Sequence, residues 1–332
     1  MLKAVVVEKP GGIEQLQIKE YPRPACGENE LLVRVKATSV NRADLLQREG
    51  KYPQPFGASP ILGLDMAGVV EEVGSMCKGN FQPGDRVFGL LNGGGYGEYA
   101  TILEEMAIPI PDNMSFEEAA AIPEVFLTAY QTLFWLGKLK RNETVLIHAG
   151  ASGVGTAAIQ LAKTIGATSM VTVGSAEKQK ACLKLGAKFA FNYHEGPFSA
   201  QVKSSTHGQG VHLVLDFIGA PYFEQNLDVL QVDGRLVLIS ILGGNRCRQI
   251  KLSKILNKRL TVVGTTLRSR TDEYKIKLTK EFFTFALPLF QERKLRPVID
   301  KVFPISDVQA AHQYMEENRN IGKIILRTTW DS

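Results

Sequence analysis

A chain of 332 residues is too long for one typical domain and suits two. Its hydrophobic content of 44% and charged content of 22% are those of a folded globular protein, with no run of about 18 apolar residues to span a bilayer. The net charge of +5 comes from scattered lysines and arginines without an aromatic-interleaved basic motif, which argues against specific nucleic-acid binding and suits a small anionic cofactor. Met1-Leu2-Lys3-Ala4-Val5 runs into a strand pattern rather than a signal peptide, so a cytoplasmic protein is expected. Cys26, Cys77, Cys182 and Cys247 lie far apart with no C-x-x-C pair, which points to free thiols instead of a disulfide framework or a zinc cluster.

From residue 1 to 123, short apolar runs at 4–8, 30–38, 67–73, 86–90 and 96–102 alternate with turns such as Pro10-Gly11-Gly12 and Gln82-Pro83-Gly84-Asp85. That spacing predicts a largely antiparallel β domain. A different pattern follows over 124–267. The buried strand 144–147 leads into Gly150, Gly153 and Gly155 and then a helix of small and apolar residues ending at Gly166. The glycines run G-x-x-G-x-G, a turn that lets a pyrophosphate approach bare backbone N–H groups at a helix N-terminus. Further strands are expected at 169–173, 189–193, 212–217, 235–239 and 260–263, separated by helical segments, so this part is a doubly wound parallel sheet of α/β class. Residues 268–332 carry a long amphipathic helix over 272–292, a second helix through Ala310, Ala311 and Met315, and a last strand at 323–327. This return segment is expected to complete the first domain, leaving the cleft between the two domains for cofactor and substrate.

Several short motifs keep a common order along nearly the whole chain: Ser39-Val40-Asn41-Arg42-Ala43-Asp44, Gly63 with Ala67-Gly68-Val69-Val70, Pro83-Gly84-Asp85-Arg86-Val87, Gly97-Glu98-Tyr99, Ala119-Ala120-Ala121-Ile122-Pro123, Thr128-Ala129, the glycine loop, and Asn320-Ile321-Gly322-Lys323. Together they resemble the zinc-independent, zeta-crystallin-like quinone oxidoreductases of the medium-chain dehydrogenase/reductase superfamily. The resemblance implies a GroES-like β-rich catalytic domain (1–123, completed by 268–332), a Rossmann NADPH-binding domain (124–267), a small-molecule quinone substrate and a homodimer. Zinc alcohol dehydrogenases of the superfamily carry a Cys-His and a His-Glu pair where this chain has Asn41-Arg42 and Leu64-Asp65, so no metal is expected.

Phosphate cradling is expected of Gly150, Ala151, Ser152, Gly153, Val154 and Gly155. At the end of the next strand, Gly174-Ser175 and Lys178 replace the acidic residue that would bind a ribose 2′-hydroxyl, which favours NADPH over NADH, although Glu177 is adjacent. The resemblance adds Tyr193 at the adenosine phosphate, Thr128, Gly243, Gly244, Thr266 and Leu267 around the nicotinamide, and Asn318 as a further cofactor contact. It also implies Asn41 and Tyr52 as the catalytic residues, Asn41 at the nicotinamide ribose or an electrophilic carbonyl and Tyr52 against a flat ring. Without it, Asn41 reads as the cap of a helix beginning near Ala43 and Tyr52 as a loop aromatic. His148, in an apolar strand end, reads as a core histidine. The implied activity is NADPH-dependent quinone reduction. Two alternatives stay open: reduction of an enone or enoyl double bond, and a nucleotide-binding protein with a structural or RNA-linked role.

Overall fold

Eleven residues, Glu30–Val40, form a strand with nearly every side chain buried on both faces, and the first domain is built around it. The computed structural model describes residues 1–330, and the chain divides into one unit of residues 1–127 with 268 onward and a second unit, Thr128–Leu267. In the first unit, β1 (Leu2–Val6) and β2 (Gln17–Tyr21) make a separate antiparallel pair. β3 (Glu30–Val40) is followed by helix α1 (Arg42–Arg48), β4 (Asp65–Val73), β5 (Arg86–Leu90), β6 (Tyr99–Leu103) and β7 (Ile108–Pro109). Short α2 (Phe116–Ala120) starts on a Ser115–Glu118 capping box, and α3 (Pro123–Tyr130) crosses the boundary between the units.

The second unit alternates strand and helix as the sequence pattern predicts. β8 (Thr144–Ile147), α4 (Gly153–Thr164), β9 (Thr168–Val173), α5 (Ala176–Leu185), β10 (Phe189–Asn192), α6 (Phe198–Ser205), β11 (Val211–Asp216), α7 (Ala220–Val229), β12 (Leu230–Leu238), α8 (Leu252–Asn257) and β13 (Thr261–Gly264) follow in order. The six strands are parallel in the order β10-β9-β8-β11-β12-β13, a doubly wound sheet whose centre is β8, with Val145, Leu146 and Ile147 fully buried. The chain then returns to the first unit through α9 (Asp272–Gln291), β14 (Ile299–Pro304), α10 (Val308–Glu316) and β15 (Lys323–Arg327). β15 pairs antiparallel with β3, so the mixed sheet runs β14-β15-β3-β4-β5-β7, with β6 also on β3. Among the described residues no helix is long and apolar enough to cross a membrane.

Candidate cofactor and acceptor sites

In the second unit, Ser152 caps α4 by accepting the Gly155 N–H (3.1 Å) at its side-chain hydroxyl. A side chain at Gly155 would lie 2.5 Å from the Ala149 and Gly150 carbonyl oxygens, so the helix can start this close to the loop only on glycine. Ala157, Ala158 and Ala162 then let α4 lie flat on the sheet. Ser152, Gly153 and Val154 stay half-exposed at the positive end of the helix.

The end of β9 builds a second polar corner. Ser175 caps α5 by accepting the Lys178 N–H (3.2 Å), and the Tyr193 N–H donates to the Val173 carbonyl (3.1 Å). The Tyr193 hydroxyl sits directly over Gly174, where an added Cβ would lie 2.3 Å from it. An acidic side chain at this strand end would therefore displace the tyrosine. Gly174, Ser175, Lys178 and Tyr193 thus come together, with Glu177 exposed on the first helical turn.

Gly243 and Gly244 line a cavity of about 650 Å³ with Ala220, Arg246, Cys247 and Arg248, and the Gly244 carbonyl accepts the Ala220 N–H (2.9 Å). Thr128 is 5% exposed, its carbonyl accepting the Thr132 hydroxyl (2.7 Å); Leu267 is buried and Thr266 exposed. His148 is fully enclosed. Its Nδ1 pairs with the Thr172 hydroxyl (2.8 Å) and its Nε2 with Asn226 Oδ1 (2.7 Å), so Nε2 carries the proton and Nδ1 accepts from the hydroxyl. Burial pushes its pKa down to about 4, which keeps it a neutral core residue. The same Asn226 donates to Asp216 Oδ2 (2.9 Å), while Asp216 Oδ1 takes the Ile218 and Gly219 N–H groups (2.7 and 3.0 Å) and so fixes the turn after β11. Burial raises Asp216 to about 6.

In the first unit, Asp65 at the start of β4 is completely buried and collects four donors. Its Oδ2 accepts from the Ser39 hydroxyl, from Asn41 Nδ2 (2.7 Å) and from Lys323 Nζ (3.3 Å); its Oδ1 accepts the Glu124 N–H (2.7 Å). Lys323 Nζ also donates to Asn41 Oδ1 (2.6 Å), so both polar atoms of the Asn41 amide are engaged by this cluster. The backbone of Asn41 begins α1, its N–H donating to Asp44 Oδ2 (2.8 Å) in one half of a capping box. Asp44 is buried and raised to about 6, the Asn41 and Gly63 N–H groups working against that rise.

Beneath it runs a second buried chain. Arg48, an obligate donor, faces His312 Nδ1 (3.4 Å), which leaves His312 Nε2–H for the Tyr96 hydroxyl (3.0 Å) and the Tyr96 O–H for Asp44 Oδ2 (3.5 Å). Burial, with Arg48 beside it, pushes His312 down to about 3. Asn318 accepts from Arg42 Nη2 (2.7 Å) at its side-chain oxygen. Tyr52 is half-buried, with the Arg268 guanidinium 5.5 Å from its ring centroid; burial raises its hydroxyl pKa and Arg268 opposes the rise. The sequence reading assigned no role to Lys323, Ser39, His312 or Arg268. A lysine opening the apolar run Ile324-Ile325-Leu326 was the one local signal for the first of them. Among the described residues no three His, Cys, Asp or Glu side chains are grouped to hold a metal.

Residues 27–112 match the alcohol dehydrogenase GroES-like domain family and residues 153–283 the zinc-binding dehydrogenase family. The quinone oxidoreductase of Lama guanicoe is 30% identical over 98% of this chain and 97% of its own length. The synaptic vesicle membrane protein VAT-1 homolog of Danio rerio is 30% identical over 98% of this chain and 70% of its own. Among solved structures, Escherichia coli quinone oxidoreductase complexed with NADPH aligns with a TM-score of 0.86 at 31% identity, covering 98% of this chain and 99% of that one. CurK enoyl reductase aligns equally well, with a TM-score of 0.86 at 30% identity and the same coverage.

Proposed function

Because the chain belongs to the quinone oxidoreductase family of the medium-chain dehydrogenase/reductase superfamily, we propose that it reduces quinones with NADPH and without zinc. The observation that carries the cofactor choice is the corner of Gly174, Ser175 and Tyr193, which offers two hydroxyls to a 2′-phosphate, has Lys178 on the adjoining helical turn, and has a tyrosine where a carboxylate would have to stand. Two of the relatives' structures hold NADPH, in keeping with this reading. The glycine loop and the N-terminus of α4 take the pyrophosphate, and Thr128, Gly243, Gly244, Thr266, Leu267 and Asn318 are assigned to the rest of the nucleotide.

Bound NADPH supplies a hydride. The protein's own task is then to position the acceptor and exclude water, because a reduced quinone oxygen is far less basic than an alkoxide and needs no Lewis acid to form. Asn41 and Tyr52 are the proposed acceptor-facing groups. Lys323 and Asp65 hold the Asn41 amide in one orientation, and the Lys323 ammonium supplies a fixed positive charge beside Asp65. Asn41 and Leu64 are poor zinc ligands, so the donor set does not fit a catalytic zinc.

The test is NADPH oxidation by purified protein with a panel of quinones, enones and enoyl thioesters, each with and without a zinc chelator. Turnover is expected with quinones, unaffected by the chelator. Turnover confined to enones or enoyl thioesters would move the assignment to double-bond reduction, and NADPH binding with no turnover on any acceptor would return it to a binding protein.

A further inference from the structure

Arg268 stands immediately after the boundary between the two units and keeps only 7% of its exposure. Its Nη2 donates to the Asn92 carbonyl (3.1 Å), but Nε and Nη1 are buried with no acceptor among the described residues. Those two nitrogens carry three of the five N–H donors of a guanidinium. Buried donors left open in this way are uncommon and call for a partner. The surroundings provide none and add positive charge. Lys275 is 2% exposed and donates to the side-chain oxygen of the same Asn92 (2.7 Å), and its pKa is lowered first by burial and then by Arg268. Carboxylates near the pair include Asp272, half-exposed and 4.0 Å from Lys275, and buried Asp44, which acts on Arg268 through charge alone; Glu124 acts through charge on Tyr52. The aromatic face of Tyr52 borders the guanidinium.

We propose that Arg268 binds an oxygen of the electron acceptor that carries or gains negative charge, with the Tyr52 ring beside the acceptor. The proposal rests on the reductase reading and names the acceptor class: quinones bearing an acidic hydroxyl, held as anions. Two electrons and one proton arriving as a hydride convert the hydroxyquinone anion to the dianion of the reduced, trihydroxy product, and water later supplies the remaining protons. Arg268 stays protonated throughout, so it acts as a fixed donor to the developing oxyanion and not as an acid. Lysine would keep the charge but lose the rigid planar donors.

The experiment measures equilibrium binding of 2-hydroxy-1,4-naphthoquinone, an anion at neutral pH, and of neutral 1,4-naphthoquinone, to the NADP⁺-loaded parent, Arg268→Met and Arg268→Lys, with NADPH affinity titrated separately. The parent is expected to prefer the anion. Arg268→Met should lose about 10- to 100-fold of that affinity, Arg268→Lys a smaller share, and both should hold NADPH within about threefold. Should Arg268→Met fail to fold, Arg268→Lys carries the same comparison. Unchanged anion affinity in the variants would overturn the proposal, as would an NADPH affinity that falls in place of it. Failure of the reductase reading is a separate outcome, visible as no NADPH oxidation by the parent with any quinone.

Discussion

Lys178 stands on the first turn of α5, its N–H held by Ser175 at the corner formed with Gly174 and Tyr193, where the extra phosphate of NADPH is proposed to bind. A charge-assisted hydrogen bond is worth about 1.5–3 kcal/mol, and Lys178 is partly exposed, so Lys178→Ala should raise the KM for NADPH by about 10- to 100-fold at most while leaving the KM for NADH nearly unchanged. Equal losses with the two nucleotides, measured as kcat/KM, would move Lys178 off the phosphate. His148 gives a residue-scale test of the core. Its pKa is depressed in the folded state, to about 4 from an ordinary 6.5, so its contribution to stability is present above pH 6.5 and is lost as pH falls toward 4. The penalty of His148→Gln in urea unfolding should therefore shrink by about 1.4 kcal/mol per pH unit between 6.5 and 4. A penalty independent of pH would mean that the imidazole is not held neutral. Features tied to near neighbours were readable from the sequence: the turn and helix start at the glycine loop and the core position of His148 follow from spacing within one βα unit. Lys323 and Asp65, 258 residues apart, were not, because nothing local announces that partner.

At the scale of elements, β15 matters for what its first residue carries. The Lys323–Asp65 pair is buried on both sides, at 3% and 0% exposure. Removing one member of a buried pair strands the other charge, so Lys323→Met should cost about 3–5 kcal/mol in chemical denaturation, and Lys323→Met with Asp65→Asn should recover part of it. A loss below about 1 kcal/mol would show that Asp65 is adequately held by Ser39, Asn41 and the Glu124 N–H without the lysine. The edge strand β13 presents a different problem. It ends the six-stranded sheet with Thr261 and Val262 exposed, an unpaired backbone edge next to apolar surface. We propose that two copies join there, and light scattering should give a mass near twice 36.5 kDa across the working concentration range. A value at the single-chain mass would refute the pairing. Elements built on compact apolar runs were legible in sequence: 86–90 and 323–327 match β5 and β15 residue for residue. β2 and β14 were missed because Gln17–Tyr21 and Ile299–Pro304 are mostly exposed segments that send only Tyr21 and Phe303 toward the core, too little for an apolar pattern. The strand expected at 96–102 begins only at Tyr99, since Gly94 and Gly97 close a turn first.

For the whole molecule, the order of motifs along the chain carried the family and hence the two-part α/β organisation, whereas the polar machinery of the first unit depends on segments brought together only by folding. Asn41 comes from the end of β3, Asp65 from β4, Lys323 from β15 and Arg268 from the segment before α9. What unites these parts functionally, in the reading we propose, is electron transfer from NADPH to a quinone. The most direct measurement is steady-state kcat/KM of the purified protein for NADPH and for NADH with 1,4-naphthoquinone as acceptor. The account predicts quinone-dependent oxidation with NADPH preferred at least tenfold; oxidation that prefers NADH, or none with either nucleotide, would contradict it.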